Sequence, residues 1–250
     1  MRVGSKVHAL ESCESTNDCA AELARNGAEE GTVVVSRTQT RGRGTKGRAW
    51  HSPPGYGLYI SVILRPYRAD LCLLPLAAGL GVRDGILDAA GLRIGLKWPN
   101  DLVWRNRKLG GILCEASGSE GAGRFAVVGV GLNLSQEEGD FPEDIRSTAA
   151  SLRMAGGWDG NVERLTSAIW AGLDGRYAAF REGRARELLE SYRAASSFTE
   201  GTVLTLRRGD GAAVRGRWAG FDERGGLVLD LPDGRAAFFS AEAVTVEDAG

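Results

Sequence analysis

Gln39-Thr-Arg-Gly-Arg-Gly-Thr-Lys-Gly-Arg-Ala-Trp50 sets four cations and three glycines within twelve residues. It lies in a window, between Glu30 and Asp70, that holds no acidic residue and seven cations: Arg37, Arg41, Arg43, Lys46, Arg48, Arg65 and Arg68. Glycines let a backbone approach a ligand closely, and guanidinium forks match phosphate or carboxylate oxygens two at a time. A solvated surface loop accounts for this stretch alone equally well. Gly42-Arg-Gly-Thr-Lys-Gly47 satisfies G-x-G-x-x-G, but a dinucleotide-binding turn must open into a helix, and Trp50-His-Ser-Pro-Pro-Gly55 forbids one. A phosphate loop ends in Gly-Lys-Ser/Thr, whereas here Lys46 precedes Gly47. A single Arg-Gly stretch without repeats is weak support for RNA binding.

On the N-terminal side, Glu11 to Asp18 reads as a loop feeding a helix capped by Ser15, with Cys19, Ala20, Leu23 and Ala24 on one face and Gly27 ending it. Thr32–Ser36 and Leu58–Leu64 are strand candidates, the second stopped by Pro66. Leu73 to Ala90 has near-helical apolar spacing, weakened by Pro75, Gly79 and Gly81. Strand-like runs follow at 95–97, 108–116 and 124–134, with hairpin chemistry at 117–123. Residues 145–157 are irregular, and helical periodicity returns at 162–180 and 184–195. Beyond Phe198, short strands at 202–206, 214–221, 226–230 and 236–239 alternate with Gly/Asp turns. This all-β module of about fifty residues is thin in hydrophobic content, so it is expected to pack on the main domain.

The 250 residues can bury about 70–75% of their unfolded surface without a disulfide or metal staple. Thirty-one basic and 32 acidic side chains leave a net charge of −1, which argues against general adhesion to nucleic acid or anionic membrane. No stretch approaches the roughly 20 apolar residues of a membrane span, and no signal peptide opens the sequence. Cys13, Cys19, Cys72 and Cys114 form no C-x-x-C pair and only two histidines are present, so zinc has poor support and reduced thiols in a cytoplasmic protein are expected.

Three further segments turn the loop into a constellation. Ser15-Thr16-Asn17 offers hydroxyls and an amide at a helix start. Lys97-Trp-Pro-Asn-Asp101 places a cation, an amide and a carboxylate around a turn. Arg107-Lys-Leu-Gly-Gly-Ile-Leu-Cys-Glu115 presents Lys108 at the entrance of a strand, and Gly129-Val-Gly-Leu-Asn133 follows. In this order, with Gln39 to Trp50, the motifs resemble the catalytic core of a biotin protein ligase. Five motifs spread over about 120 residues are far more specific than any one of them.

The resemblance implies an α+β fold: a central mixed sheet with flanking helices, like class II aminoacyl-tRNA synthetases, over residues 1–198, then a small SH3-like barrel over 199–250. It implies activation of biotin by Mg²⁺-ATP as biotinyl-5′-AMP, then transfer to a lysine of a biotin carboxyl carrier protein. Ser15, Thr16, Asn17 and Gln39 are then expected at biotin, and Arg43, Gly44 and Thr45 over the adenylate. Lys108 would touch the carboxylate and α-phosphate, with Arg48 and Lys97 at phosphates, Asn100 and Asp101 near Mg²⁺-ATP, and Trp50 on the nucleotide side. The strands around Ile112-Leu113 and Val127-Val128-Gly129 are expected to line the biotin pocket. Thr45 departs from the arginine that many members carry there. Ser15-Thr16-Asn17 lies so near the start that a DNA-binding helix-turn-helix is not expected, nor repression. A homodimer through a sheet edge is compatible with the sequence. The nearest rival is a lipoate or octanoate transferase of the same superfamily, which would not need Ser15-Thr16-Asn17 or the Arg/Gly loop; a non-enzymatic adenylate sensor or RNA binder is the other.

Overall fold

The computed structural model describes residues 2–67, 71–117, 124–156, 158–239 and 243–246. Seven strands form a mixed sheet: β1 (Lys6–Leu10), β2 (Thr32–Ser36), β3 (Gly57–Leu64), β4 (Gly95–Lys97), β5 (Asp101–Trp104), β6 (Arg107–Ser117) and β7 (Phe125–Asn133). Their order is β1-β2-β3-β7-β6-β5-β4; β1 and β2 run parallel and every other pair is antiparallel. The sequence reading missed β1 and β5, the first because its exposed pattern hides a strand, the second because a four-residue strand sits directly behind the Pro99 turn. The hairpin expected at 117–123 falls, from residue 118 on, outside the described residues.

Strand alternation gives the sheet two unlike faces. Leu58, Ile60, Val62 and Leu64 of β3 and Ala126, Val128, Val130 and Leu132 of β7 point into the main core, beneath α2 (Leu74–Ala90) and α3 (Val162–Arg181). On the opposite face, Ile63, Phe125 and Val127 meet Ala20 and Ala24 of α1 (Thr16–Arg25) in a smaller cluster. That helix covers only one end of the face.

The glycines of α2 do not weaken it as its propensity suggests. Pro75 sits in the first turn, where its missing N–H costs nothing. Gly81 lies against Gly172 of α3 so closely that a Cβ on Gly172 would clash with the Gly81 carbonyl oxygen. The backbones of the two helices touch, and tertiary packing overrides the local preference. Asn161 caps α3 by accepting from Arg164 N at 2.9 Å.

A second, antiparallel sheet holds β8 (Val203–Arg207), β9 (Ala213–Phe221), β10 (Leu227–Leu231), β11 (Gly234–Phe238) and β12 (Ala243–Val246), in the order β11-β10-β9-β8-β12. Buried Trp218 is edge-on to Phe198 at 4.9 Å and to Phe221 at 5.4 Å, and Phe221 meets Tyr192 of α4 (Ala185–Ala195). Trp98 Nε1 donates to Gly225 O at 3.0 Å. One apolar cluster therefore runs from α2 into this sheet, the packing its thin hydrophobic content required.

The helix contact yields a paired test. Gly172→Ala should destabilise the protein by about 1–3 kcal/mol through overpacking. Gly175→Ala, three residues on with nothing within 4 Å of the new methyl, should stabilise it by about 0.5–1 kcal/mol. Thermal and urea unfolding of both variants checks the opposite signs.

Candidate active site

Beyond the end of α1, the uncovered face of the sheet loses its side chains. In register across β3, β7 and β6 lie Ser61, Gly129 and Leu113; in the next row lie Tyr59, Gly131 and Gly111. Leu113, Gly129, Gly111 and Gly131 of these rows floor an open recess. Its walls bring together Ser15, Thr16, Asn17, Gln39, Arg43, Gly44, Thr45, Trp50, Asn100 and Lys108, ten of the thirteen residues proposed from sequence.

The first wall is the start of α1. Ser15 takes the extended N-cap backbone, but its side chain makes no capping hydrogen bond and faces the recess instead. Thr16 N and Oγ1 lie 2.8 and 3.1 Å from Gln39 Oε1, which joins this turn to the loop. Asn17, 4% exposed, is held at both ends of its amide: Oδ1 accepts from Ser61 Oγ at 2.6 Å, and Nδ2 donates to Glu115 Oε2 at 2.6 Å. The seat exists because position 129 is glycine; a Cβ there would fall 2.2 Å from Asn17 Oδ1. Ser61 and Glu115 escaped the sequence reading as site residues. The signal for Ser61 was present: it is the only hydroxyl between Ile60 and Leu64, in a strand buried along its whole length.

The Arg/Gly loop forms the second wall. Its Arg43–Ala49 bridge and the Trp50 N to Gly42 O bond of 2.8 Å close it into a hairpin-like turn around a 3-10 segment at Thr45–Gly47. Its cations looked to lack acidic partners in the local sequence, and the fold supplies them. Arg43 donates to both Asp18 oxygens at 2.7 and 2.9 Å and to Glu115 at 3.3 Å, and Arg41 pairs with Glu14 at 3.3 Å. Asp18 first among these contacts holds the Arg43 pKa above its ordinary value. Arg48 folds back on the 3-10 segment, donating to Thr45 Oγ1 at 3.3 Å. The Trp50 ring lies across the facing pair Gly131 and Gly111; a Cβ on Gly131 would come within 2.9 Å of it. Its Nε1 is buried without a hydrogen-bond partner.

The third wall carries the amine. Lys108 at the head of β6 pairs with Asp101 at 2.5 Å and lies 5.4 Å from the Trp50 ring centre. Its backbone is clamped by Thr148 O at 2.6 Å and Ala150 N at 2.8 Å. Asn100 Nδ2 donates to Ile112 O at 2.8 Å. Lys97 lines neither this recess nor its neighbour. It pairs in register with Asp101, and burial pushes its ammonium below the usual range, Asp101 opposing that shift and Lys108 adding to it. A second open recess adjoins the first at Gly44, Thr45, Trp50 and Lys108. Arg48, His51, Asn133, Phe141, Ile145 and Thr148 line it. Sequence pattern did not mark His51 or the 141–148 segment, which is irregular and is held here by the Lys108 clamp and by Arg107, whose guanidinium donates to Arg146 O at 2.6 Å and Ala149 O at 2.7 Å.

The bifunctional ligase/repressor BirA of Bacillus subtilis is 36% identical to this chain over 236 residues, covering 91% of this chain and 70% of its own length. The biotin–[acetyl-CoA-carboxylase] ligase of Mycobacterium tuberculosis is 34% identical over 234 residues, 91% of this chain and 84% of its own. A model of the biotin/lipoate A/B protein ligase family matches residues 9–133. The chain belongs to the biotin/lipoate A/B protein ligase family. Among solved structures, biotin protein ligase from Aquifex aeolicus in complex with biotin and ATP matches with a TM-score of 0.84 at 27% identity, over 98% of this chain and 100% of that one. The family match spans every motif from Ser15 to Asn133, and so all three walls, while the structural match extends through the second sheet.

No cysteine lines either recess of this family member. Burial pushes the Cys13 thiol up to about 11, and Cys114 up to about 12. Both are then almost wholly protonated at pH 8. Thiolate depletion of about a hundredfold at Cys13 and about a thousandfold at Cys114, partly offset by greater intrinsic nucleophilicity, should slow alkylation by iodoacetamide about tenfold and about thirtyfold relative to an unfolded peptide. Peptide mass spectrometry over time checks this; alkylation at the peptide rate would refute it.

Proposed function

We propose that this chain is a biotin protein ligase, which condenses biotin with ATP to biotinyl-5′-adenylate and transfers the biotinyl group to a lysine of a biotin carboxyl carrier protein. The observation that carries the reading is the meeting of two recesses at Lys108 and Trp50. One has an apolar floor with buried amide and hydroxyl anchors, as a small bicyclic urea with an aliphatic tail requires. The other is rimmed by the Arg/Gly loop, as a nucleotide requires.

In the first step a carboxylate oxygen of biotin attacks the α-phosphorus of ATP, the new C–O–P bond forms and pyrophosphate leaves. Both partners are anionic, so catalysis calls for fixed cations more than for a base. Lys108 is the catalytic residue in this reading. Its clamped backbone and the Asp101 contact fix the ammonium at the junction, where it can bridge the carboxylate and the α-phosphate. Ser15, Thr16, Asn17 and Gln39 hold the biotin head. Arg43, Gly44 and Thr45 cover the adenylate, Arg48 takes phosphate, and the Trp50 ring packs on the nucleotide, its orphaned N–H offering a donor. Lys97 acts through Asp101 rather than on phosphate, because it lies outside both recesses. In the second step the carrier lysine amine attacks the mixed anhydride carbonyl and AMP leaves. A loop that excludes water protects that anhydride from hydrolysis.

Magnesium fits as part of the ATP substrate. Among the described residues no three metal-ligating side chains cluster, and the Asp101 carboxylate is already shared with Lys108, so the phosphates would carry the ion with Asn100 and Asp101 beside it. We also read the chain as a catalytic unit, 1–198, and an SH3-like module, 199–250; five antiparallel strands around Trp218 support that division. No helix among the described residues is long and apolar enough to cross a membrane.

Exchange of labelled pyrophosphate into ATP should depend on biotin and not on lipoate; lipoate-dependent exchange alone would overturn the reading. Lys108→Ala should lower that exchange by on the order of 10²–10³-fold with unfolding unchanged. At position 45, arginine would add one charge-assisted contact to the adenylate, worth roughly 1.5–3 kcal/mol. Thr45→Arg should therefore slow adenylate release about ten- to a hundredfold and reduce stray biotinylation of bystander lysines. Release rates decide it. If they do not change while Arg48→Ala accelerates release, Arg48 already supplies the contact from its place beside Thr45.

A further inference from the structure

Glu115, on β6, hydrogen-bonds both the α1 wall and the Arg/Gly loop. Its carboxylate accepts from Asn17 Nδ2 at 2.6 Å and from Arg43 Nη2 at 3.3 and 3.5 Å. Arg43 is also gripped by both oxygens of Asp18, one helical step from Asn17. The result is a chain of contacts, Ser61–Asn17–Glu115–Arg43–Asp18, which crosses from a fully buried strand to the loop.

A carboxylate only accepts hydrogen bonds, so Glu115, the nearer acceptor at 2.6 Å, together with the Leu113 carbonyl at 3.3 Å requires the nitrogen end of the Asn17 amide on its side. The oxygen end must then face Ser61, which is where it lies. The same charge, with Asp18, balances the Arg43 guanidinium beside the recess. Isolated exposed ion pairs contribute little, but a bidentate fork shared between two carboxylates is the geometry in which they do contribute. An arriving phosphate would compete for this guanidinium.

We propose that Glu115 is a positioning residue which sets the orientation of the Asn17 amide and, with Asp18, holds Arg43 and hence the 41–48 loop at the rim of the recess. Its two functions are separable by substitution. Glu115→Gln keeps an acceptor for Asn17 but loses the charge on Arg43, Asp18→Asn weakens only the Arg43 grip, and Glu115→Ala removes both.

The inference rests on the biotin ligase reading only for its consequences in turnover; the loop contacts are tested without substrate. In trypsin digestion of the full chain without biotin or ATP, Glu115→Gln and Asp18→Asn should each nick faster at residues 41–48, by about threefold, and the double variant faster still. In pyrophosphate exchange, Glu115→Gln should keep the KM for biotin within about twofold of the parent while raising that for ATP about threefold. Glu115→Ala should raise the KM for biotin about tenfold, because the buried Asn17 amide loses its best acceptor. Melting temperatures of all variants report on folding separately, and a purely structural role would lower them without this split between substrates. Equal nicking in parent and double variant overturns the hold on Arg43. An equal rise in biotin KM for Gln and Ala overturns the hydrogen-bond role at Asn17. Should the parent show no biotin-dependent exchange, the functional reading fails while the nicking result still judges the bracket.

Discussion

The site depends on a steric vacancy built into one face of a sheet. Strand alternation sends every second residue of β6 and β7 to that face, and at three of those positions, Gly111, Gly129 and Gly131, nothing projects. Into the space above Gly129 comes the Asn17 amide, and across Gly111 and Gly131 lies the Trp50 ring. Both approaches are closer than a Cβ would allow, so no small substitution at Gly129 or Gly131 is conservative. Farther along the same face Val127 and Phe125 restore bulk, and there α1 packs. One face therefore serves as floor at one end and as helix seat at the other. The helix that fills the second delivers its N-terminal residues to the first.

Charge is arranged with similar economy. The acid-free window of the sequence suggested a loop of unbalanced cations, yet Asp18, Glu14 and Glu115 come from α1, the turn before it and β6. Arg41 and Arg43 are thereby held by groups outside their own segment, while Arg48 is held by Thr45 within it. Lys108 follows the same rule through Asp101, from the neighbouring strand. An anionic substrate entering such a site exchanges one set of carboxylate partners for another, so the gain per contact is smaller than for a bare cation. The specificity of the geometry is correspondingly larger.

How much of this was legible in sequence follows from what constrains each residue. Residues that would touch a ligand in the proposed reaction, or clear space for it, are restricted in type and spacing. Ser15-Thr16-Asn17, Gln39 to Trp50, Lys108 and the Gly129 to Asn133 run therefore stood out, and the recess gathers them. Ser61 and Glu115 act on other side chains from the middle of ordinary strands, and the pairing register that brings them in is not written locally. The 141–148 segment reaches the second recess through backbone contacts to Lys108 and through Arg107, whose guanidinium donates to the Arg146 and Ala149 carbonyls, so its own residue types do not announce the placement; His51 lines the recess directly behind the loop. Lys97 differs for the opposite reason: it sits in the Lys97–Asp101 run that carried part of the resemblance, but strand pairing sets it opposite Asp101 and it lines neither recess. For α2, propensity pointed against the observed helix because Gly81 and Gly85 serve a neighbour 90 residues away in sequence, at Gly172 and Ile169.

The rigid parts of the molecule lie where motion would blur the junction of the two recesses. Asn100 and Asp101 follow Trp98, whose indole is buried and bonded to Gly225 in a turn of the second sheet. That turn is itself pressed against Leu73 and Leu76 at the start of α2. Asp101 is thus fixed from behind by an element with no residue in either recess, and Lys108 is fixed by Asp101 from one side and by the 148–150 backbone from the other. A lysine side chain carries large rotamer entropy, and in the proposed reaction an ammonium held before substrate arrives would remove that cost from the reacting step. The Arg/Gly loop is anchored differently: backbone bonds such as Arg41 N to Glu14 O and Trp50 N to Gly42 O hold its ends, while Arg41 and Arg43 are tied across to Glu14, Asp18 and Glu115 by exposed side-chain contacts, the kind most easily exchanged for the oxygens of an anion.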